Sequence, residues 1–181
     1  MRIFIAVQLD NNTKSHLKSM IHSLEPNFIK ARYTEPENYH ITLQFIGDAD
    51  KSTFNRTAAA LKRASALNQS LTIFTEGTRS FRKGRKHIIY CSTAESSKLK
   101  KLQVDVCNEL KKSGVEFREG KFTPHITLAR EAVLIDEFPE LSFQKQKINI
   151  SAIHLMESTR INGKLTYISR VAVKLGDNKN D

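Results

Sequence analysis

Hydrophobic and polar positions divide the chain into short, alternating blocks. RIFIAV, from Arg2 to Val7, is β-branched and aromatic, and the polar DNNTKS after it offers a helix cap. This pattern predicts a strand followed by a helix running to about Leu24. Pro26 and Pro36 then punctuate the chain, with a short strand expected at KARYTE between them and a stronger one at YHITLQFI. The segment Lys51 to Leu67 has the Ala and Leu content and polar face of an amphipathic helix, and SLTIFTE returns to strand composition. HIIYCS, at 87–92, predicts another strand. In the helix predicted after it, Leu99, Leu102, Val106 and Leu110 fall on one stripe and Gly114 is the stop. QKINISAIHLMES and LTYISRVAVKL read as closing strands joined by a turn at Asn162-Gly163, and GDNKND as a polar tail.

The pattern repeats in register. Ile3 to His40 is a step of 40 − 3 = 37 residues, and Ile88 to His125 is 125 − 88 = 37. Each step runs from a strand through a helix to the tetrapeptide His-Ile-Thr-Leu, so a duplicated unit is expected. The fold class expected is α+β: a bilobal duplicated fold in which two antiparallel sheets with flanking helices face each other about a pseudo-twofold axis, with the active cleft between the lobes. Residues 1–176 are expected to form one domain of two intimately packed lobes, with 177–181 outside it.

The chain has 181 residues, enough to bury a core, and its 39% hydrophobic and 27% charged content is ordinary globular usage. This argues against a disordered or fibrous protein. Lys and Arg outnumber Asp and Glu by 29 to 19, a formal charge of +10, which favours polyanionic partners such as nucleic acid. Cys91 and Cys107 form no CxxC pair and have no zinc-ligand spacing, so two reduced thiols are expected. No apolar run reaches the roughly 20 residues of a membrane span. The expectation is a cytoplasmic monomer without a cofactor.

Side chains on a strand alternate between faces, so His40 and Thr42 share one face while Ile41 and Leu43 point behind it. His125 and Thr127 repeat this, with Ile126 and Leu128 behind. Across a pseudo-twofold axis, two imidazoles and two hydroxyls would meet in one cleft. Two histidines can stand one neutral and one protonated near neutral pH, as concerted general base and general acid catalysis requires. Threonine hydroxyls can bond the non-bridging oxygens of a phosphodiester where charge accumulates. Neither motif is accompanied by an acidic cluster that would hold magnesium, and two imidazoles alone make a poor metal cage, so no metal is expected. From the residues alone, either histidine can be the acid.

With both motifs in place, the chain resembles the two-histidine phosphoesterase superfamily, specifically the LigT-like RNA 2′,3′-cyclic phosphodiesterases, also called the 2′-5′ RNA ligase family. RIFIAV, ENYHITLQFIGD, FTPHITLAR and the stretch from Met156 to Tyr167 carry the resemblance, which covers most of the chain. Where the family usually shows a Phe-Pro pair before the mid-chain strand, this sequence has Ser80-Phe81-Arg82, and it contains no Trp. The resemblance implies hydrolysis of a terminal 2′,3′-cyclic phosphate to a 2′-phosphate. It implies His40 as proton donor to the departing 3′-oxygen, His125 as proton acceptor from water, and Thr42 and Thr127 on the phosphate. It further implies base stacking by Phe45 and phosphate binding by Arg130, each five residues beyond a histidine. Strict alternation puts an i+5 side chain on the opposite face, so both roles require a bend or bulge in the strand.

The basic stretch RSFRKGRKH, 79–87, reads as a loop at the cleft edge that contacts RNA. His16, His22, His87 and His154 are assigned to structure or surface. Two other readings use the same features: cleavage of 2′-5′-linked oligonucleotides or trimming of RNA 3′ ends at the same site, and a nonenzymatic RNA-binding module using the basic face.

Overall fold

In the computed structural model, which describes residues 1–139, 141 and 143–176, the elements follow the predicted order, except that QKINISAIHLMES, read as one strand, forms two. The tail at 177–181 lies outside the described residues. Strand β1 (Arg2–Gln8) leads into helix α1 (Asn11–Leu24), β2 (Phe28–Tyr33) and β3 (His40–Asp48). Helix α2 (Lys51–Ala66), the hairpin β4 (Leu71–Lys83) and β5 (Lys86–Thr93), and helix α3 (Ser97–Lys112) come next. The chain ends with β6 (His125–Leu134), β7 (Lys147–Ile150), β8 (Ala152–Ile161) and β9 (Lys164–Lys174).

Short polar side chains start each helix. Asp10 and Asp50 carboxylates accept from the Thr13 and Thr53 amides at 2.7 Å, and the Ser96 hydroxyl accepts from Leu99 at 3.2 Å. Helix α3 stops at Gly114, whose φ of +60° is left-handed; the Gly114 and Val115 amides fold back onto the Lys111 and Leu110 carbonyls, a Schellman closure. Asn162 and Gly163, with φ of 50° and 78°, make the tight β8–β9 turn. No helix among the described residues is long and apolar enough to cross a membrane.

The strands pair in the order β7-β4-β5-β6-β3-β1-β8-β9, with β2 beside β6. The two expected sheets are joined into one sheet of nine strands: one lobe is β3-β1-β8-β9 and the other β7-β4-β5-β6, and they are linked through a single bridge, Ile41 to Ile126. Because 126 − 41 = 85 and 125 − 40 = 85, equivalent residues of the two halves pair with each other, as an antiparallel contact on a twofold axis requires. The lobes are interleaved: β2, from the first half, pairs with β6 of the second, and β8 and β9 return to the first lobe. One residue, Ser151, separates β7, at one end of the strand order, from β8, next to the other end, so the sheet curls round until its ends touch. There the Leu175 amide bonds the Ser151 carbonyl at 2.9 Å.

A single buried cluster runs through both lobes. It takes Ile3, Ile5 and Val7 from β1, Leu17 and Met20 from α1, Leu61 from α2, and Leu99, Leu102, Val106 and Leu110 from α3. A small separate cluster of Phe4, Ala6 and Met156, with Tyr167 against it, lies on the other face of the first lobe. That second face carries the candidate site.

Candidate active site

The bridge between Ile41 and Ile126 fixes the arrangement. Both isoleucines, with Leu43 and Leu128, are buried in the main core, so the residues alternating with them face the other way. Continuing the antiparallel pairing by one residue sets His40 opposite Thr127 and Thr42 opposite His125. The two His-x-Thr faces are therefore neighbours across the lobe junction, on rigid strands.

Each ring is oriented by a backbone carbonyl two residues upstream. His40 Nδ1 lies 2.6 Å from the Asn38 carbonyl and His125 Nδ1 lies 2.7 Å from the Thr123 carbonyl. A carbonyl only accepts, so both Nδ1 atoms carry a proton, leaving each Nε2 as the lone-pair atom when the ring is neutral. His40 Nε2 is 3.0 Å from the Thr42 hydroxyl. Aromatic rings flank both imidazoles. Phe4 and Tyr167 lie 5.0 and 5.1 Å from His40 between ring centroids, and Phe81 and Tyr90 both lie 5.3 Å from His125.

This apolar surround governs protonation. Burial pushes His40 down to about 4, aided by the positive charges of Arg130 and His125 and opposed by the Asn38 carbonyl. His125 is also lowered, first by burial and then by Arg130, against the Thr123 carbonyl. Burial thus disfavours the charged form of both rings, and a neighbouring anion would favour it.

Phe45 and Arg130 reach the site face through matched bulges. β1 pairs Ala6 with Thr42 and Ile5 with Gln44, skipping Leu43; β5 pairs Tyr90 with Thr127 and Ile89 with Ala129, skipping Leu128. The skipped residues are again 128 − 43 = 85 apart. One extra residue restores the face, so Phe45 lies 5.7 Å from Phe4 by ring centroids and is 58% exposed. Arg130 shares a cavity of about 210 Å³ with His40 and Thr127.

Several residues in this cleft escaped the sequence reading. Asn38 is buried; its side-chain amide donates to the Leu165 carbonyl at 2.8 Å, and its side-chain oxygen accepts from the Tyr167 amide at 3.0 Å. These bonds tie the curled β8–β9 hairpin beside His40. The hairpin contributes Arg160 and Lys164, and β2 contributes Arg32, to the cavity that holds His40. Their gathering from separate elements leaves no local sequence pattern. Asn38 alone had a signal, a polar residue two before the histidine, just ahead of an apolar strand.

The basic stretch 79–87 is a hairpin rather than a loop. Arg79 to Lys83 belong to β4 and Lys86 and His87 to β5, with only Gly84 and Arg85 between them. Strand alternation therefore divides its cations between two faces instead of concentrating them. Phe81 stacks on Tyr90 at 4.1 Å and 18° beside His125. Of the other histidines, His87 faces the Ser80 hydroxyl at 3.2 Å, His154 the Ser169 hydroxyl at 2.9 Å, and His22 the Glu25 carboxylate at 3.2 Å. Among the described residues, no group of three or more His, Cys, Asp or Glu side chains is placed to hold a metal ion.

A pseudo-symmetric α+β sheet with two His-x-Thr strands side by side at the lobe junction fits the two-histidine phosphoesterase class; the cavity there is lined by His40, Thr127 and Arg130 but not by His125, Thr42 or Phe45. The chain belongs to the 2′-5′ RNA ligase superfamily, whose family profile matches residues 13–162. An RNA 2′,3′-cyclic phosphodiesterase of Thermotoga maritima is 30% identical over 142 residues, 78% of this chain and 75% of the relative. Another, of Archaeoglobus fulgidus, is 31% identical over 132 residues, 72% of each chain. Among solved structures, the protein TT0787 of Thermus thermophilus superposes with a TM-score of 0.84 at 20% identity, over 97% of this chain and 98% of that one. Escherichia coli LigT in its apo form gives 0.78 at 20% identity, over 97% of both chains.

Proposed function

We propose that this protein is an RNA 2′,3′-cyclic phosphodiesterase that opens a terminal cyclic phosphate to a 2′-phosphate and a free 3′-hydroxyl. The observation that carries the proposal is the pair of imidazoles on adjacent strands, each with Nδ1–H held by a carbonyl and Nε2 left for chemistry. The names of the relatives support the same substrate class.

In the proposed reaction, His125 Nε2 takes a proton from water as its oxygen forms a bond to phosphorus. His40 Nε2 gives a proton to the 3′-oxygen as the phosphorus–3′-oxygen bond breaks. Thr42, Thr127 and Arg130 hold the non-bridging oxygens, and Phe45 stacks on the terminal base. Burial favours this division of labour because a proton held on His40 is strongly acidic and is readily passed to an alkoxide. The charge on the phosphate compensates the cost of placing that proton there. No metal takes part in the steps proposed.

Residues 1–176 act in this proposal as one domain, since each lobe contains strands from both halves of the chain. The working unit is a monomer in the cytoplasm, consistent with Cys91 and Cys107 both being free thiols.

The test is to incubate the protein, in EDTA, with each nucleoside 2′,3′-cyclic phosphate and identify the monophosphate formed. The 2′-monophosphate is expected. Loss of turnover in EDTA, or formation of the 3′-isomer, would overturn the mechanism. A 2′-5′-linked oligoadenylate assayed alongside separates the second reading, cleavage of 2′-5′ linkages or end trimming at this site.

A further inference from the structure

Resting on the phosphodiesterase reading, we propose that the cleft contains a second anion subsite. Arg32, Arg160 and Lys164 form it, and it takes the 5′-phosphate of the nucleotide whose cyclic phosphate lies between the histidines. The subsite makes the enzyme selective for RNA ends over bare nucleoside 2′,3′-cyclic phosphates.

Charge placement gives the first support. The cavity that holds His40 is lined by four cations, Arg32, Arg130, Arg160 and Lys164, and by one carboxylate, Glu35. A single phosphodiester carries one negative charge, and Arg130, which shares its face with His125 and Thr127, suffices for the reacting group. Three cations are left over.

The pairing register gives the second. Arg32 stands directly opposite Arg130 across β2 and β6. Like charges in directly opposed positions destabilise a sheet, and a bound anion removes that cost. Glu131 offsets it only in part, because it lies 3.7 Å from Arg32 and also 3.6 Å from Lys86.

Fixed geometry gives the third. Arg160 and Lys164 sit on the β8–β9 hairpin, where the Arg160 guanidinium donates to the Gly163 carbonyl at 2.7 Å. Asn38 bonds both Leu165 and Tyr167 while its own carbonyl takes the His40 Nδ1 proton. One residue therefore sets the spacing between the reacting imidazole and the cations on the hairpin. A nucleotide fixes the spacing between its 3′ and 5′ phosphorus atoms in the same way, so the two can be matched once and reused for any base.

The experiment compares kcat/KM on adenosine 2′,3′-cyclic phosphate with a free 5′-hydroxyl and on the same compound phosphorylated at the 5′ position. Wild-type protein is expected to favour the 5′-phosphorylated substrate by about tenfold or more, the range of charge-assisted hydrogen bonds. The triple substitution R32Q/R160Q/K164Q is expected to bring the ratio of the two kcat/KM values to near one. A wild-type ratio of one, or a ratio that survives the triple substitution, overturns the subsite. A general loss of folding or activity lowers both values and leaves their ratio intact. If wild-type protein hydrolyses neither compound, the phosphodiesterase reading fails instead. Calorimetric binding of adenosine 3′,5′-bisphosphate against adenosine 3′-monophosphate then decides the subsite: tighter binding of the bisphosphate, lost in the triple variant, supports it, and equal affinities overturn it.

Discussion

The His40 and His125 half-sites share a backbone frame and differ in what surrounds it. In both, a histidine on a strand bonds a carbonyl two residues back, a threonine follows two residues on, and a bulge at the next leucine turns the strand. Beyond that frame the halves part. His40 is packed between Phe4 and Tyr167 and bonded to Thr42, and the residue two before it, Asn38, is a buried clamp. At the equivalent place before His125 stands Thr123, and the ring meets Phe81 and Tyr90 instead. Backbone geometry, copied with the duplication, decides where the imidazoles point. Side chains from neighbouring strands decide how readily each takes a proton, and His40 carries the larger downward shift.

The largest expected effect breaks the shared frame itself. His40→Ala and His125→Ala should each lower turnover by about two to four orders of magnitude while leaving RNA binding in place. Steady-state kinetics with a filter-binding control checks both. Next comes Arg130, which has no equivalent charge at Phe45 in the other half. Arg130→Met should lower kcat/KM by about ten- to hundredfold, through the loss of a charged contact to the phosphate.

Asn38→Ala removes the clamp from one half only. Two buried bonds to the hairpin are lost, so a stability loss of about 1–3 kcal/mol is expected. Melting should shift by a few degrees, and kcat should fall more than KM rises because Tyr167 no longer holds its place beside His40. Substituting the equivalent Thr123 by Ala should leave turnover near wild type, since its carbonyl, not its side chain, orients His125. Equal losses at the two positions would contradict the difference drawn between the halves.

The smallest effect concerns protons. His40 is lowered to about 4 and His125 is also lowered, so the two rings bind fewer protons than free imidazoles do below pH about 6.5. An anion beside the rings raises both. Sulfate, which does not itself titrate in this range, should bind with proton uptake at about pH 6 and bind more tightly as the pH falls toward 5. Calorimetry in two buffers of different ionisation enthalpy measures the uptake; proton release, or no exchange, contradicts it. The same sign governs folding. A lowered histidine leaves the unfolded chain with more protons between about 4 and 6.5, so these residues make stability fall as the pH drops through that window.

Features set by short-range pattern were readable in the sequence. The strand at Arg2–Val7 gains one residue, the helix from Lys51 ends one residue early at Ala66, and the stop at Gly114 and the turn at Asn162-Gly163 stand where local chemistry put them. The pairing of the two histidine motifs was legible because alternation and a repeated 37-residue step are both properties of the chain alone.

What depended on distant partners was not legible. QKINISAIHLMES looks like one strand, yet Ser151 divides it into β7 beside β4 and β8 beside β1. Nothing in its alternation marks that break. The bulges at Leu43 and Leu128 show only against the neighbouring strands, although the need for a bend followed from where Phe45 and Arg130 stand. RSFRKGRKH drew notice because its charges are contiguous, while Arg32, Arg160 and Lys164 are gathered into one cavity from β2 and the β8–β9 hairpin. Protonation was the hardest to read, because Phe4 and Tyr167 come from opposite ends of the chain.

The central claim, that both imidazoles act on one phosphorus in one step, is tested most directly by a double-mutant cycle on a nucleoside 2′,3′-cyclic phosphate with His40→Ala, His125→Ala and the pair together. Concerted action predicts that the double variant is about as slow as the slower single variant, because either loss already leaves only the uncoupled reaction. Losses that multiply in full, or a single variant that keeps wild-type turnover, would contradict it.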